Sequence, residues 1–266
     1  MLRGNTIRSL LHTLGPPLFT AAVVLLLELG RRALGLSEEA TVPSLSSVVQ
    51  TSFGLLSDSE FWTAMSDTLI PWLIALGISI SLGVPLGFLM GTNRWVRNIL
   101  TVPVEVLRPI PSVALIPLAV VWLGATGSTS KIFLATFASV WPLLYQARYG
   151  AGQIDSTLDN TARAYGMPLV ARIRHVVIPS VAPFVATGVR LSAAIALILI
   201  VSAELLIGGS GIGVIINEAR SGGDLPRMYA LITASGLLGW GLAELLKRGE
   251  AKALFWHSSQ RNQGTP

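Results

Sequence analysis

The chain has no cysteine, and its three histidines, His12, His175 and His257, are scattered. Disulfides and thiolate metal sites are excluded, and the histidines make no ligand pattern. Charge is scarce as well: 12% of the 266 residues are charged, against about 25% in soluble domains. The motifs of several chemistries are missing, with no GxxxxGK[ST] phosphate loop, no HExxH and no GxSxG. No catalytic residue and no metal ligand is assigned, and the chain is read as a non-enzyme. No clear repeat relates its halves, which speaks against a self-contained secondary transporter. What the chain does have is apolar bulk. It is 52% hydrophobic, with a mean hydropathy of +0.64. The bilayer is the solvent for that much apolar surface, so an all-α integral membrane protein is expected, as one domain over residues 1–266. The net charge of +5 is read as topology and not as a nucleic-acid surface, because the positive residues sit at the ends of apolar segments.

Six apolar segments lie near residues 11–29, 69–90, 99–123, 132–147, 179–207 and 228–246. A helical span needs about 20 residues. The second and third segments are long enough unaided. The fourth is short, and its flanking Lys131 and Arg148 are expected to snorkel. The third holds Pro103, Pro109, Pro111 and Pro117. Each proline removes a backbone donor, so a kinked helix shielded by its neighbours is expected. The basic N-terminus and its apolar run end in Arg31 and Arg32, not in a small-x-small cleavage site. They are read as a retained first span.

Placing the N-terminus in the cytoplasm puts Arg3, Arg8, Arg94, Arg97, Arg148, Arg163, Arg172, Arg174, Lys247, Arg248, Lys252 and Arg261 inside. Only Arg31, Arg32, Lys131, Arg220 and Arg227 are then outside. The twelve-to-five bias predicts both termini in the cytoplasm, segment 155–179 inside and segment 35–67 outside. The seven tryptophans, Trp62, Trp72, Trp95, Trp122, Trp141, Trp240 and Trp256, are read as an aromatic belt.

Segment 155–179, DSTLDNTARAYGMPLVARIRHVVIP, is unusually polar and long for a simple connection. It reads as two short helices at an angle. Ser156 is the expected N-cap, with Asp159 as its acidic N3 partner. Leu158, Ala162, Tyr165 and Leu169 recur at helical spacing and give one apolar side. Gly166 sits where the first helix ends, and Pro168 suits the first turn of the second. Two readings of such a helix stand side by side: it lies in a groove of a soluble partner, or it rests on lipid headgroups.

The same segment resembles the "EAA" loop of ABC importer permeases. Asn160, Thr161 and Ala162 stand at the Glu-Ala-Ala positions, followed at the family's spacing by Gly166, Val176, Ile178 and Pro179. Asn160 replaces the acidic residue, and Asp159 precedes it by about 100° of helix rotation. VLRPIPSVALIPLAVVWLG at 106–124, TSKIF at 129–133 and SAELLIGGSGIGVII at 202–216 resemble signatures of the group that imports nitrate, taurine and aliphatic sulfonates. VPSLSSVV at 42–49 resembles that group's Leu-Pro-x-Pro segment, with Ser46 for the second proline.

The resemblance implies an ABC type I importer permease fold of about six spans, with a two-helix coupling loop facing the cytoplasm of a bacterial inner membrane. Asp159, Asn160, Thr161, Ala162, Arg163, Gly166, Ile178 and Pro179 would form the surface that meets the ATPase. It implies a second permease copy, two ATP-hydrolysing subunits that hold the ATP and Mg, and an extracytoplasmic binding protein. No cofactor is implied on this chain.

Four charges fall within the apolar segments: Glu105, Arg108, Arg190 and Glu204. Each costs about 3 kcal/mol at the bilayer centre, so each is expected to face protein or water. Glu105 and Arg108, three residues apart, are placed to pair on one helix face. These four either hold helices together or line a solute path or gate, with Arg108 or Arg190 lending positive potential. Glu204 precedes GGSGIG at 208–213, which reads as a tight turn or re-entrant stretch.

Overall fold

The computed structural model describes residues 43–124 and 128–254. The first apolar segment and both termini lie outside the described residues. Ser44 caps a first helix, α1 (Leu45–Leu55), by accepting from Ser47 N–H at 3.2 Å. Segment 35–67, expected outside, is therefore partly helical. Asp58 then caps α2 (Ser59–Thr92), a 34-residue helix that starts ten residues before its apolar stretch. Asn93 caps α3 (Arg94–Leu107) by accepting from Trp95 N–H at 2.9 Å, so the α2–α3 turn is one residue long. Arg97 reaches back to the carbonyls of Met90 (2.9 Å) and Gly91 (3.0 Å), satisfying the frayed end of α2.

The third expected span is not one kinked helix. The chain breaks after α3 and resumes through a 3-10 turn at Ser112–Leu115 into α4 (Ile116–Leu123), with 83° between the halves. Pro109 and Pro111 bracket the break. Two missing donors two positions apart leave no helical hydrogen bond to bridge it, so the bend exceeds a kink.

Next come α5 (Ser128–Gly152), α6 (Ser156–Ala164), α7 (Leu169–Arg172), α8 (Ile178–Ile207), α9 (Ile212–Ser221) and α10 (Leu225–Ala253). By length and composition α2, the α7–α8 unit and α10 can each cross a membrane, and the bent α3–α4 pair can make a fourth crossing. Helix α5 gains its place by packing: it lies between α2 and α8 as the centre of the bundle.

Small residues set that packing. Gly83, Gly87 and Gly91 recur every fourth residue on α2. A Cβ at Gly87 would stand 2.1 Å from the Leu144 carbonyl oxygen, and one at Gly91 2.5 Å from Ala151 Cβ. The α2 and α5 backbones are in contact, the geometry that GxxxG stripes produce between membrane helices. Between α5 and α8, Gly150 receives Phe184 and Gly188 receives Gln146. Hydroxyls add bonds across the seam: Ser79 Oγ lies 2.7 Å from Ser139 Oγ, and Ser192 Oγ donates to the Ser139 carbonyl at 2.6 Å. Trp72 is buried among these helices and donates its indole N–H to the Ala193 carbonyl at 2.9 Å. It belongs to the core and not to an aromatic belt.

Candidate functional site

The polar loop forms an elbow of two helices joined at Gly166. Asp155, not Ser156, caps α6, accepting from Thr157 N–H at 2.7 Å. The expected capping box does not form, because Asp159 is turned elsewhere. Its carboxylate holds Arg163 on its own helix at 2.8 Å and Arg172 on α7 at 3.0 Å. Helix α6 ends at Gly166 with φ of +68°. There Gly166 N–H bonds to the Arg163 carbonyl (2.9 Å) and Met167 N–H to that of Ala162 (3.0 Å). This pair of bonds is the Schellman closure, which needs a left-handed residue that glycine supplies cheaply. Pro168 precedes α7 as its N-cap residue and not as part of its first turn.

The second half of the loop is not a separate short helix ending at Pro179. Residues Leu169–Ile207 run on as one 39-residue rod. Just before the proline, Ile173–Val177 widen into a π-helical turn, and Ile178 N–H bonds to the Ile173 carbonyl. The wider turn absorbs the donor that Pro179 lacks, so the rod continues through it.

Around the elbow, Ala162 is buried, while Asn160, Thr161 and Arg163 are exposed and Pro179 is half-buried. Exposure reaches 55% at Leu158, 86% at Tyr165 and 55% at Ile178. Helix α6 makes no extensive contact with any other described helix.

The second cluster was not legible as a unit in the sequence. Lys131, expected to snorkel from a span end, is 3% exposed and pairs with fully buried Glu204 at 3.0 Å. Its ammonium also donates to the Ser210 carbonyl at 2.7 Å. Thr68 donates to Glu204 Oε2 at 3.0 Å and accepts from Ile212 N–H at 2.9 Å. Gly213 N–H, in the first turn of α9, donates to the same carboxylate oxygen at 3.0 Å, where a negative charge suits a helix start. The turn at 208–211 carries positive φ at Gly208, Gly209 and Gly211. A Cβ on Gly211 would come within 2.2 Å of Glu204 Cδ. The glycines thus let backbone close over a buried charge, and α2, α5, α8 and the α8–α9 turn are tied at one point.

The remaining charges within the apolar segments separate. Glu105 is exposed and makes no ion pair with Arg108, contrary to the expected helix-face pair. Arg108 instead lies over the Tyr145 ring on α5, with its guanidinium carbon 4.7 Å from the ring centroid. The proline break ends α3 one residue before it, which frees the side chain to turn toward α5. Arg190 faces Glu250 on α10 at 3.5 Å.

Comparison with known proteins gives one answer. Residues 83–245 match the family described as "Binding-protein-dependent transport system inner membrane component". The "Probable ABC transporter permease protein" of Brucella melitensis is 35% identical over 181 residues, 67% of this chain and 72% of that protein. The taurine transport system permease protein of Escherichia coli K12 is 30% identical over 200 residues, 75% of this chain and 72% of its own length. A chain from inward-facing structures of the MetNI methionine ABC transporter superposes with a TM-score of 0.60 at 18% identity, covering 73% of this chain and 95% of that one. That last likeness bears on the fold alone. The chain belongs to the inner-membrane components of binding-protein-dependent transport systems, the non-catalytic permease subunits of ABC importers.

Proposed function

We propose that this chain forms the translocation path of an importer for a small anionic solute of the sulfonate, taurine or nitrate kind. Two copies make the path, an extracytoplasmic binding protein delivers the solute, and a pair of separate subunits hydrolyses ATP with its Mg. Helix α6 is the contact with those subunits, through Asn160, Thr161 and Arg163 and the exposed edge of Leu158 and Tyr165.

The observation that carries this reading is mechanical. A helix that stands clear of the bundle is joined to a span by a closed glycine turn and an Asp159–Arg172 bridge of 3.0 Å. That span is continuous for 39 residues, about 58 Å at 1.5 Å per residue. Force applied to α6 therefore reaches the outer end of α8 without crossing a flexible joint. The excess of arginine and lysine on the α6 side supports a cytoplasmic elbow with both termini inside, in a bacterial inner membrane.

Co-purification of the detergent-solubilised chain with the ATPase subunit of its transport system tests the contact. Retention by the native chain and loss on Gly166→Asp is expected, with membrane insertion unchanged. Solute transport at full rate by the purified chain alone, without nucleotide, refutes the reading.

A further inference from the structure

Among the described residues, two neighbouring cavities are lined by arginine and by no carboxylate. The first, of 690 Å³, is walled by Arg108, Trp141, Tyr145, Gln146 and Tyr149 together with apolar residues of α5 and α8. The second, of 450 Å³, is walled by Arg97 and Arg148 and shares Tyr145 and Tyr149 with the first. It lies at the end of the bundle where α2 turns into α3. From these we infer that the Arg108 cavity is an anion-binding station and that Arg148 and Arg97 continue it as a track toward the elbow side. The inference rests on the permease reading above and names the chemistry its path selects: an oxyanion such as a sulfonate.

Three observations support this. Arg108 has no counter-ion among the described residues. Its guanidinium lies on the Tyr145 ring at 4.7 Å, a cation–π arrangement that fixes the plane and leaves N–H edges for a bidentate oxyanion. Among the described residues Arg148 has no ion pair either, while Arg97 spends its donors on the Met90 and Gly91 carbonyls and keeps its charge. Arg190 supplies the contrast. It also lines a cavity, but Glu250 stands 3.5 Å from it, so its charge is largely compensated. Uncompensated charge of one sign in a cleft with low-dielectric walls raises the local concentration of counter-ions by about 10- to 1,000-fold.

The absence of cysteine makes the test direct. Gln146→Cys is placed in the full chain, in nanodiscs of phosphatidylcholine alone. It is reacted with a methanethiosulfonate bearing a sulfonate and with one bearing a trimethylammonium. Ser66→Cys, exposed at the opposite end of α2, normalises the two reagents. The sulfonate reagent is expected to react about tenfold faster at Gln146→Cys, the lower end of the focusing range. The advantage should vanish on Arg108→Gln and persist on Arg108→Lys.

Ethanesulfonate should protect the single Gln146→Cys variant and ethylammonium should not, an arm that stands even if Arg108→Gln fails to fold. Equal rates for the two reagents, or no protection, overturns the inference. Protection that appears only when phosphatidylglycerol is added makes the cavity a lipid site and also overturns it. None of these readouts requires transport or the ATPase, so the permease reading is judged separately by co-purification.

Discussion

Removing both members of the Lys131–Glu204 pair should destabilise the chain by less than the sum of removing each alone. Lys131→Met leaves the Glu204 carboxylate fully buried with only the Thr68 hydroxyl and the Gly213 N–H as partners. It also strips the Ser210 carbonyl of its donor. Breaking one side of a buried ion pair costs about 3–5 kcal/mol, chiefly because the other charge stays uncompensated. Glu204→Gln keeps the shape and an acceptor for Gly213, but leaves the Lys131 ammonium buried with carbonyls alone. The double variant carries neither charge. Its cost should fall below the sum of the singles by about 2 kcal/mol, within the range for contacting residues. Equilibrium unfolding in mixed micelles measures all four corners of the cycle. Limited proteolysis within 208–211 should rise in each single variant, since the pair holds that turn closed. Singles that each cost under about 1 kcal/mol, below the buried-pair range, or costs that simply add, would show that the 3.0 Å contact is not what secures the four elements.

Gly87→Ala should destabilise by about 1–3 kcal/mol as an overpacked contact, because its Cβ meets the Leu144 carbonyl oxygen at 2.1 Å. Gly77→Ala on the same helix meets nothing within 4 Å and should leave the unfolding midpoint unchanged or higher; equal effects at the two sites would contradict the packing account. At Gly166, φ is +68° with open space around a Cβ, so the cost is backbone strain of about 1–2 kcal/mol for most residues. Asn tolerates that conformation, so Gly166→Asn should keep the ATPase in a pull-down, whereas Gly166→Asp also places a negative charge at the C-terminal end of α6, where the helix dipole disfavours it, and should lose it. Asp159→Ala breaks two partly exposed bridges and should change stability by under about 1 kcal/mol while lowering ATP-driven uptake severalfold; unchanged uptake in reconstituted vesicles would mean that the elbow needs no brace.

Several features were legible from the chain alone because they are local or compositional. Gly166 punctuates a helix end whatever surrounds it, and the turn at 208–213 needs its glycines for backbone reasons. The proline cluster signalled an interruption of the third segment. Its size was not legible, because whether two prolines kink or break a helix depends on what the freed backbone finds nearby. Pro179 misled in the opposite sense: a π turn five residues long absorbed it, and no local signal marks that compensation. Asp155 outcompeted Ser156 as cap once Asp159 was drawn to Arg172, thirteen positions along the chain and adjacent only after the elbow folds.

Composition and periodicity decided that this is a helical membrane protein with a polar elbow, since the bilayer penalises any other way of placing such apolar bulk and unpaired backbone. Which charges meet was decided by tertiary structure. Lys131 and Glu204 are 73 residues apart; by itself Lys131 reads as a snorkelling span-end residue and Glu204 as a charge within an apolar segment. Only the packing of α5 against α8, with Gly150 receiving Phe184 and Gly188 receiving Gln146, brings them into one buried pair, and only the break after α3 lets Arg108 lie on the Tyr145 ring.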